Sequence, residues 1–409
     1  MADLYDYLDW RGDLSFSETP LNEVDALILA WLSYAQWNDA VPAPGCGEPI
    51  LLRDAARAFL AGAPVIGEDD AYSITATASG AVVARQAAQT RRFGELKICG
   101  FVNEVVPEEQ KQFCAVTLLG EGFAYAAYRG TDSTLVGWRE NCNLSLSEAV
   151  PAQRRAAEYL SQVPELKGKR LYIGGHSKGG NLAVYAAVMC PEPLRGMIDT
   201  VWDFDGPGFL HSFLEKPEFL SIRPRIKKYI PRDSIVGMLL ESGTEPAVIS
   251  SAQSGLFQHN GVLWEVMGSR FVRQEGLSAP IRIFDQELED GLNRMDEGQR
   301  VQFINALFRM LDAAGVESVD DIGVEEVGAM IRALAGMEEE PRRMLQGALG
   351  GLVKTGNKML YNVLVSPSLE LLDKGQRTLR ELLSNVTRLW GADGDEPENG
   401  GKLPGREDR

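Results

Sequence analysis

Leu171-Tyr172-Ile173-Gly174-Gly175-His176-Ser177-Lys178-Gly179-Gly180-Asn181 decides the fold. An apolar strand, Arg170 to Gly174, runs into G-H-S-K-G, and a helix follows from Lys178 to Met189. A serine at so sharp a strand-to-helix turn is forced into a strained conformation, and small residues two positions either side let strand and helix cross without collision. Gly175 and Gly179 occupy those two positions. Ser177 then heads a helix, whose free backbone donors and dipole favour developing negative charge.

Outward from this turn, strands and helices alternate. Phe113 to Leu119 and Phe123 to Tyr128 are β-rich runs separated by Gly120-Glu121-Gly122, which reads as two adjacent strands with a tight turn. A helical stretch from Pro151 to Val163 precedes the turn, and strand-like runs at Thr200 to Phe204 and Ile226 to Ile230 follow it. This order predicts the α/β class, with a mostly parallel central sheet flanked by helices. Near the start, Asn22 caps a helix whose apolar residues Val24, Leu27, Ile28, Trp31, Leu32 and Ala35 recur at helical spacing, so residues 1–95 read as a helical segment packed on a core at 96–284. Beyond about Asp285 helical patterns take over, at Asp296 to Ala314, Val324 to Ala335, Pro341 to Val365 and Leu369 to Trp390. They predict a helical C-terminal appendage over 285–390 and a disordered tail over 391–409. Met344, Leu345, Leu352, Met359, Leu360 and Val363 form a face expected to dock on the core in preference to a membrane surface.

Composition narrows the partners. The formal charge of −17 repels phosphate backbones, so nucleic acid is not an expected partner. The acidic start MADLYDYLDWRGDLSF is unlike a secretory signal, and no stretch approaches the roughly 20 apolar residues of a membrane span. The five cysteines are scattered and lack a C-x-x-C pair, which reads as reduced thiols in a cytoplasmic setting.

A serine hydroxyl needs a base, and the chain has three histidines. His176 adjoins the serine and is expected to face the packed interior. His211 follows Gly206-Pro207-Gly208 and precedes the expected acid. His259, in Gln258-His259-Asn260-Gly261, fits the chain order Ser, Asp, His. For the acid, Asp233 follows the strand Ile226 to Ile230 on the side of the sheet where ligands bind, and Asp205, in Asp203-Phe204-Asp205-Gly206-Pro207-Gly208, is the rival, with a pocket-shaping role as its other reading. Tyr128-Arg129-Gly130-Thr131-Asp132-Ser133 closes an early strand. Backbone amides of Thr131 and of Lys178, the residue after the serine, are the expected oxyanion donors. No metal and no organic cofactor is called for.

Four stretches in order resemble the class 3 lipases, a branch of the α/β-hydrolases: Tyr128 to Thr131 (oxyanion), Gly175 to Gly180 (nucleophile), Asp233 to Val236 (acid) and His259 to Trp264 (base). Together they cover roughly residues 95 to 275. The opening YLDWRGDLSF with LNEVDALILAWLSY, and G-H-S-K-G-G-N-L-A, look like a bacterial family of Mbeg-like hydrolases. The resemblance implies cleavage of a small-molecule or lipid acyl ester through Ser177, His259 and Asp233. A phospholipase or acyl-thioesterase, and a catalytically silent hydrolase fold serving as an interaction module, are the alternatives. Lys178 stands where many class 3 lipases have leucine, and its charge reads either as a contact for an anionic substrate or as a solvated tip. The segment Gly137 to Ala149, where those lipases often carry a lid, is polar, whereas an interfacial lid wants a broad apolar face.

Overall fold

The computed structural model describes residues 1–62, 71, 76–132, 134–253, 255–278, 298, 302, 305 and 309. All of them fall in the first of the chain's two compact units, Met1–Leu364.

Helices α1 (Leu4–Arg11) and α2 (Glu23–Trp31) lead to a short strand β1 (Ile50–Leu51), then α3 (Leu52–Gly62), α4 (Ala76–Gln89) and α5 (Arg91–Gly94). Strands β2 (Lys97–Val106), β3 (Lys111–Leu119) and β4 (Phe123–Tyr128) follow, then α6 (Leu135–Asn143), α7 (Pro151–Gln162), β5 (Arg170–His176), α8 (Lys178–Met189) and α9 (Glu192–Met197). The remainder is β6 (Ile198–Phe204), α10 (His211–Leu214), α11 (Pro217–Ile222), β7 (Ile226–Pro231), β8 (Ala247–Ile249), β9 (Val266–Met267) and β10 (Arg270–Phe271).

Eight strands form one sheet in the order β1 to β8, and β9 and β10 make a separate pair. The first four strands pair antiparallel, and β4 through β8 run parallel. The mostly parallel sheet expected from the sequence is therefore present, with an antiparallel edge. Strands β1 and β2 were not evident from the sequence. β1 is two residues long, and the register of β2 shifts between Cys99 and Val102, around Gly100 at φ 67°, which breaks the alternation that marks a strand. Because β1 lies ahead of residue 96 and pairs with β2, the sheet itself crosses that boundary.

Strand order explains the layering. Successive crossovers of one hand that all step the same way across a sheet leave their helices on one face. Residues of α7, α8 and α11 accordingly share one hydrophobic core. The other face is covered from the N-terminus, by α1, α2 and α4. β4 shows why its sequence carries no polar alternation: Phe123, Tyr125 and Ala127 enter the core under α2, and Ala124, Ala126 and Tyr128 enter the core under α7 and α8. Its two tyrosines tie the layers together, Tyr125 donating to the Ala26 carbonyl in α2 (2.8 Å) and Tyr128 to the Ala156 carbonyl in α7 (2.8 Å).

Asn22 caps α2 as expected, its side chain accepting from the Val24 and Asp25 amides. Asp25 is buried and pairs with Arg92 through two bonds of 2.8 and 2.6 Å, and Tyr7 also donates to it (2.9 Å). This buried pair fastens α1, α2 and α5 to one another. The C-terminal patterns expected beyond residue 285, including the tail, lie outside the described residues, apart from helical positions 298, 302, 305 and 309. Among the described residues no helix is long and apolar enough to cross a membrane.

Candidate active site

Ser177 sits between β5 and α8 at φ 59°, ψ −135°, a backbone that side-chain-bearing residues rarely adopt. Its amide donates to the Phe204 carbonyl (2.9 Å), which fixes the turn to the end of β6. Gly175 and Gly179 are needed because strand and helix touch: a Cβ on Gly175 would lie 2.2 Å from the Gly179 carbonyl oxygen, and one on Gly179 would lie 2.1 Å from the Tyr128 carbonyl oxygen. The turn is the strained elbow anticipated from the sequence.

His259 ends a 3₁₀ turn, Gly255–His259. Its Nδ1 lies 2.6 Å from Oδ2 of Asp205, whose side chain is 1% exposed. Asp205 follows β6 and takes φ 55°, turning its carboxylate toward the histidine loop. Its other oxygen accepts from the Ser234 hydroxyl, which in turn accepts from the Gly237 amide (2.9 Å). Asn181 on α8 holds the turn after Asp205 by donating to the carbonyls of Pro207 (3.2 Å) and Gly208 (2.8 Å).

Asp205, and not Asp233, is thus the carboxylate that meets the imidazole. Asp233 pairs instead with Gln258, accepting from Nε2 (2.8 Å) while its own amide donates to Oε1 (3.0 Å). It lines a polar cleft of about 360 Å³ with Arg232, Ser250 and Gln258. The D-S-I-V segment does contribute to the site, one residue later, through Ser234. Two aspartates in the region end parallel strands, and what separates them is the left-handed backbone at Asp205, which leaves no trace in residue order.

His176 is buried, as expected, and it also connects three loops. A carbonyl can only accept, so Nε2 carries the proton and donates to the His259 carbonyl (2.7 Å). Nδ1 then accepts from the Tyr34 hydroxyl (3.0 Å), and that hydroxyl accepts from the Gly130 amide (3.2 Å). The two imidazoles lie in contact, tilted by 36° with centroids 4.6 Å apart. Burial pushes the His176 pKa down to about 3, with the neighbouring His259 adding to the effect. The ring is therefore neutral near pH 7, consistent with this bonding. Among the described residues the Ser177 hydroxyl makes no hydrogen bond, so the structure brings His259 and Asp205 together and sets His259 against the residue preceding the serine. His211 lies on the surface, 2.9 Å from Glu241, away from this cluster.

The Gly130–Thr131 loop packs directly on the elbow. A Cβ on Gly130 would lie 2.9 Å from Cβ of Ser177 and 2.7 Å from the His176 carbonyl oxygen. Thr131 Oγ1 accepts from Nδ2 of Asn141 (2.6 Å). Lys178 neither snorkels nor faces a substrate. Its side chain is fully buried, and Nζ donates to Glu140 Oε2 (2.9 Å), the Gln112 carbonyl (2.7 Å) and Gln112 Oε1 (2.6 Å). Tyr34, Gln112 and Glu140 stand far along the chain from the residues they serve, and Asn141 reaches Thr131 only because α6 folds back on its loop, so residue order pointed to none of them.

Sheet, elbow and imidazole–carboxylate pair define an α/β-hydrolase fold. The chain belongs to the Mbeg1-like family, whose model matches residues 87–309. Solved structures with a similar course include the Rhizomucor miehei lipase in its propeptide complex, at 15% identity and TM-score 0.29 over 38% of this chain and 57% of that one. The M37 lipase is similar at 14% identity and TM-score 0.31, over 53% and 68%. A mutant form of MDLA from Penicillium cyclopium is similar at 11% identity and TM-score 0.34, over 64% and 88%. No curated protein matches the sequence.

Proposed function

We propose that the protein is a serine hydrolase that cleaves an acyl ester through Ser177, His259 and Asp205. The observation that carries the reading is the 2.6 Å pair between His259 and the buried Asp205, set beside a serine in the strained elbow conformation. His259 takes the Ser177 proton as the hydroxyl attacks the carbonyl carbon, then returns it to the departing alcohol. Asp205 holds the tautomer with the proton on Nδ1 and stabilises the imidazolium that forms. The Ser177–His259 contact is made on substrate binding, since such bonds are often long in a free enzyme. The amides of Thr131 and Lys178 receive the oxyanion, and water releases the acyl group from Ser177. No metal or cofactor enters these steps.

A fluorophosphonate probe tests the reading. It should label Ser177 in the wild type and leave Ser177→Ala and His259→Ala unlabelled; a wild type that resists the probe and is inert toward p-nitrophenyl esters would overturn it. The phospholipase and thioesterase readings lose Lys178 as a headgroup or carrier contact, because its ammonium is spent inside the fold. All five cysteines are free thiols, which supports a reducing, cytoplasmic setting.

A further inference from the structure

Two consecutive residues of α6 grip the two residues assigned to the oxyanion. Asn141 donates to the Thr131 hydroxyl (2.6 Å), and Glu140 receives the Lys178 ammonium (2.9 Å) with both side chains fully buried. Glu140 is committed further, accepting from the Gln112 amide (3.0 Å) on β3 and the Ala152 amide (2.8 Å) on α7. Gly137 brings the helix flush with the loop, since a Cβ there would lie 2.9 Å from the Thr131 methyl. From its outer side, Arg139 donates to Asn305 (3.1 Å).

A helix that swings aside at a lipid surface must release its contacts cheaply and offer that surface an apolar face. Withdrawing α6 would strip the carboxylate from an ammonium inside the protein, where an unpaired charge is strongly disfavoured. It would free the Thr131 side chain in the same movement. Nor is there a face to offer: Trp138 is the one large exposed apolar side chain that α6 carries among the described residues.

We propose that α6 is a fixed brace that keeps the oxyanion site formed at all times, and that the substrate is accordingly an ester dissolved as single molecules, not one presented at a lipid–water interface. The substrate half rests on the serine hydrolase reading; the fixity of α6 does not.

Hydrogen exchange on the full chain decides the fixity. Amides 135–143 should exchange at the same rate, within about twofold, with and without Triton X-100 micelles, whereas acceleration of about tenfold would overturn the brace. Hydrolysis of p-nitrophenyl butyrate and of tributyrin should saturate smoothly through the solubility limit of each, and a rise of several-fold on passing that limit would overturn the substrate class. Asn141→Ala should lower kcat about tenfold with KM within about twofold, because the donor is displaced and not the binding surface. Unchanged kcat would refute the grip on Thr131. A wild type that fails to label with fluorophosphonate removes the hydrolase reading and the substrate class with it, and the exchange rates still decide the brace.

Discussion

His259 Nδ1 donates to Asp205 Oδ2 across 2.6 Å, joining a loop near the end of the described chain to a carboxylate held in left-handed backbone behind β6. A carboxylate so placed keeps the imidazole in one tautomer and offsets the charge it gains. Asp205→Asn should therefore lower kcat on a p-nitrophenyl ester by about 10³- to 10⁴-fold, the scale seen when a triad carboxylate is neutralised. Asp233→Asn keeps its contact with Gln258 and should stay within about threefold of wild type, a change of under 1 kcal/mol in the barrier. Side-by-side kinetics of the two variants check the assignment, and the reverse ranking would restore Asp233.

His176 makes stability depend on pH. Its folded pKa of about 3 lies below the ordinary value of 6.5. Between these values the unfolded chain holds a proton that the folded chain refuses, so stability is complete above about pH 6.5 and falls as pH drops toward 3. One such proton contributes a slope of about 1.4 kcal/mol per pH unit. Urea melts of wild type and His176→Gln between pH 4 and 7 should differ in slope by about one proton; parallel curves would contradict the depressed pKa.

Tyr34→Phe removes a hydroxyl that receives the Gly130 amide and supplies His176. Both partners are then left buried without it, at a cost of about 1–3 kcal/mol in stability. Slack in the Gly130 loop should also lower kcat by about tenfold with little change in KM. Thermal melts and ester kinetics on one preparation read both effects.

Gly179→Ala places a methyl 2.1 Å from the Tyr128 carbonyl oxygen. Neither backbone can yield without separating α8 from β4, so the loss should exceed about 3 kcal/mol and the variant should be largely insoluble. Gly196, with no atom within 4 Å of the same methyl, is the control and should express as wild type after Gly196→Ala.

Legibility in the sequence followed the range of the interactions. The helix after the elbow, β4 and the Asn22 cap are local patterns, and they stand where the residues placed them. Ser177 was readable because its strain must be relieved by glycines at fixed offsets. The choice between Asp205 and Asp233 was not, because it turns on one backbone dihedral and on Ser234 reaching across to the β6 turn. Lys178 misled for a related reason: a lysine reads as a solvated residue unless its carboxylate is known, and Glu140 reaches it only once α6 has folded over β3.

The one-sided winding of the sheet reaches into biosynthesis. Each crossover helix emerges from the ribosome between the two strands it will lie across, and can settle as they form. α2 is made well ahead of β4, β5 and β6, the strands it covers, and leaves the exit tunnel with an oily surface and nothing to lay it on. That apolar surface stays without its partner strands until β6 has been made, and Tyr34, just after α2, can meet Gly130 and His176 only once those later residues exist.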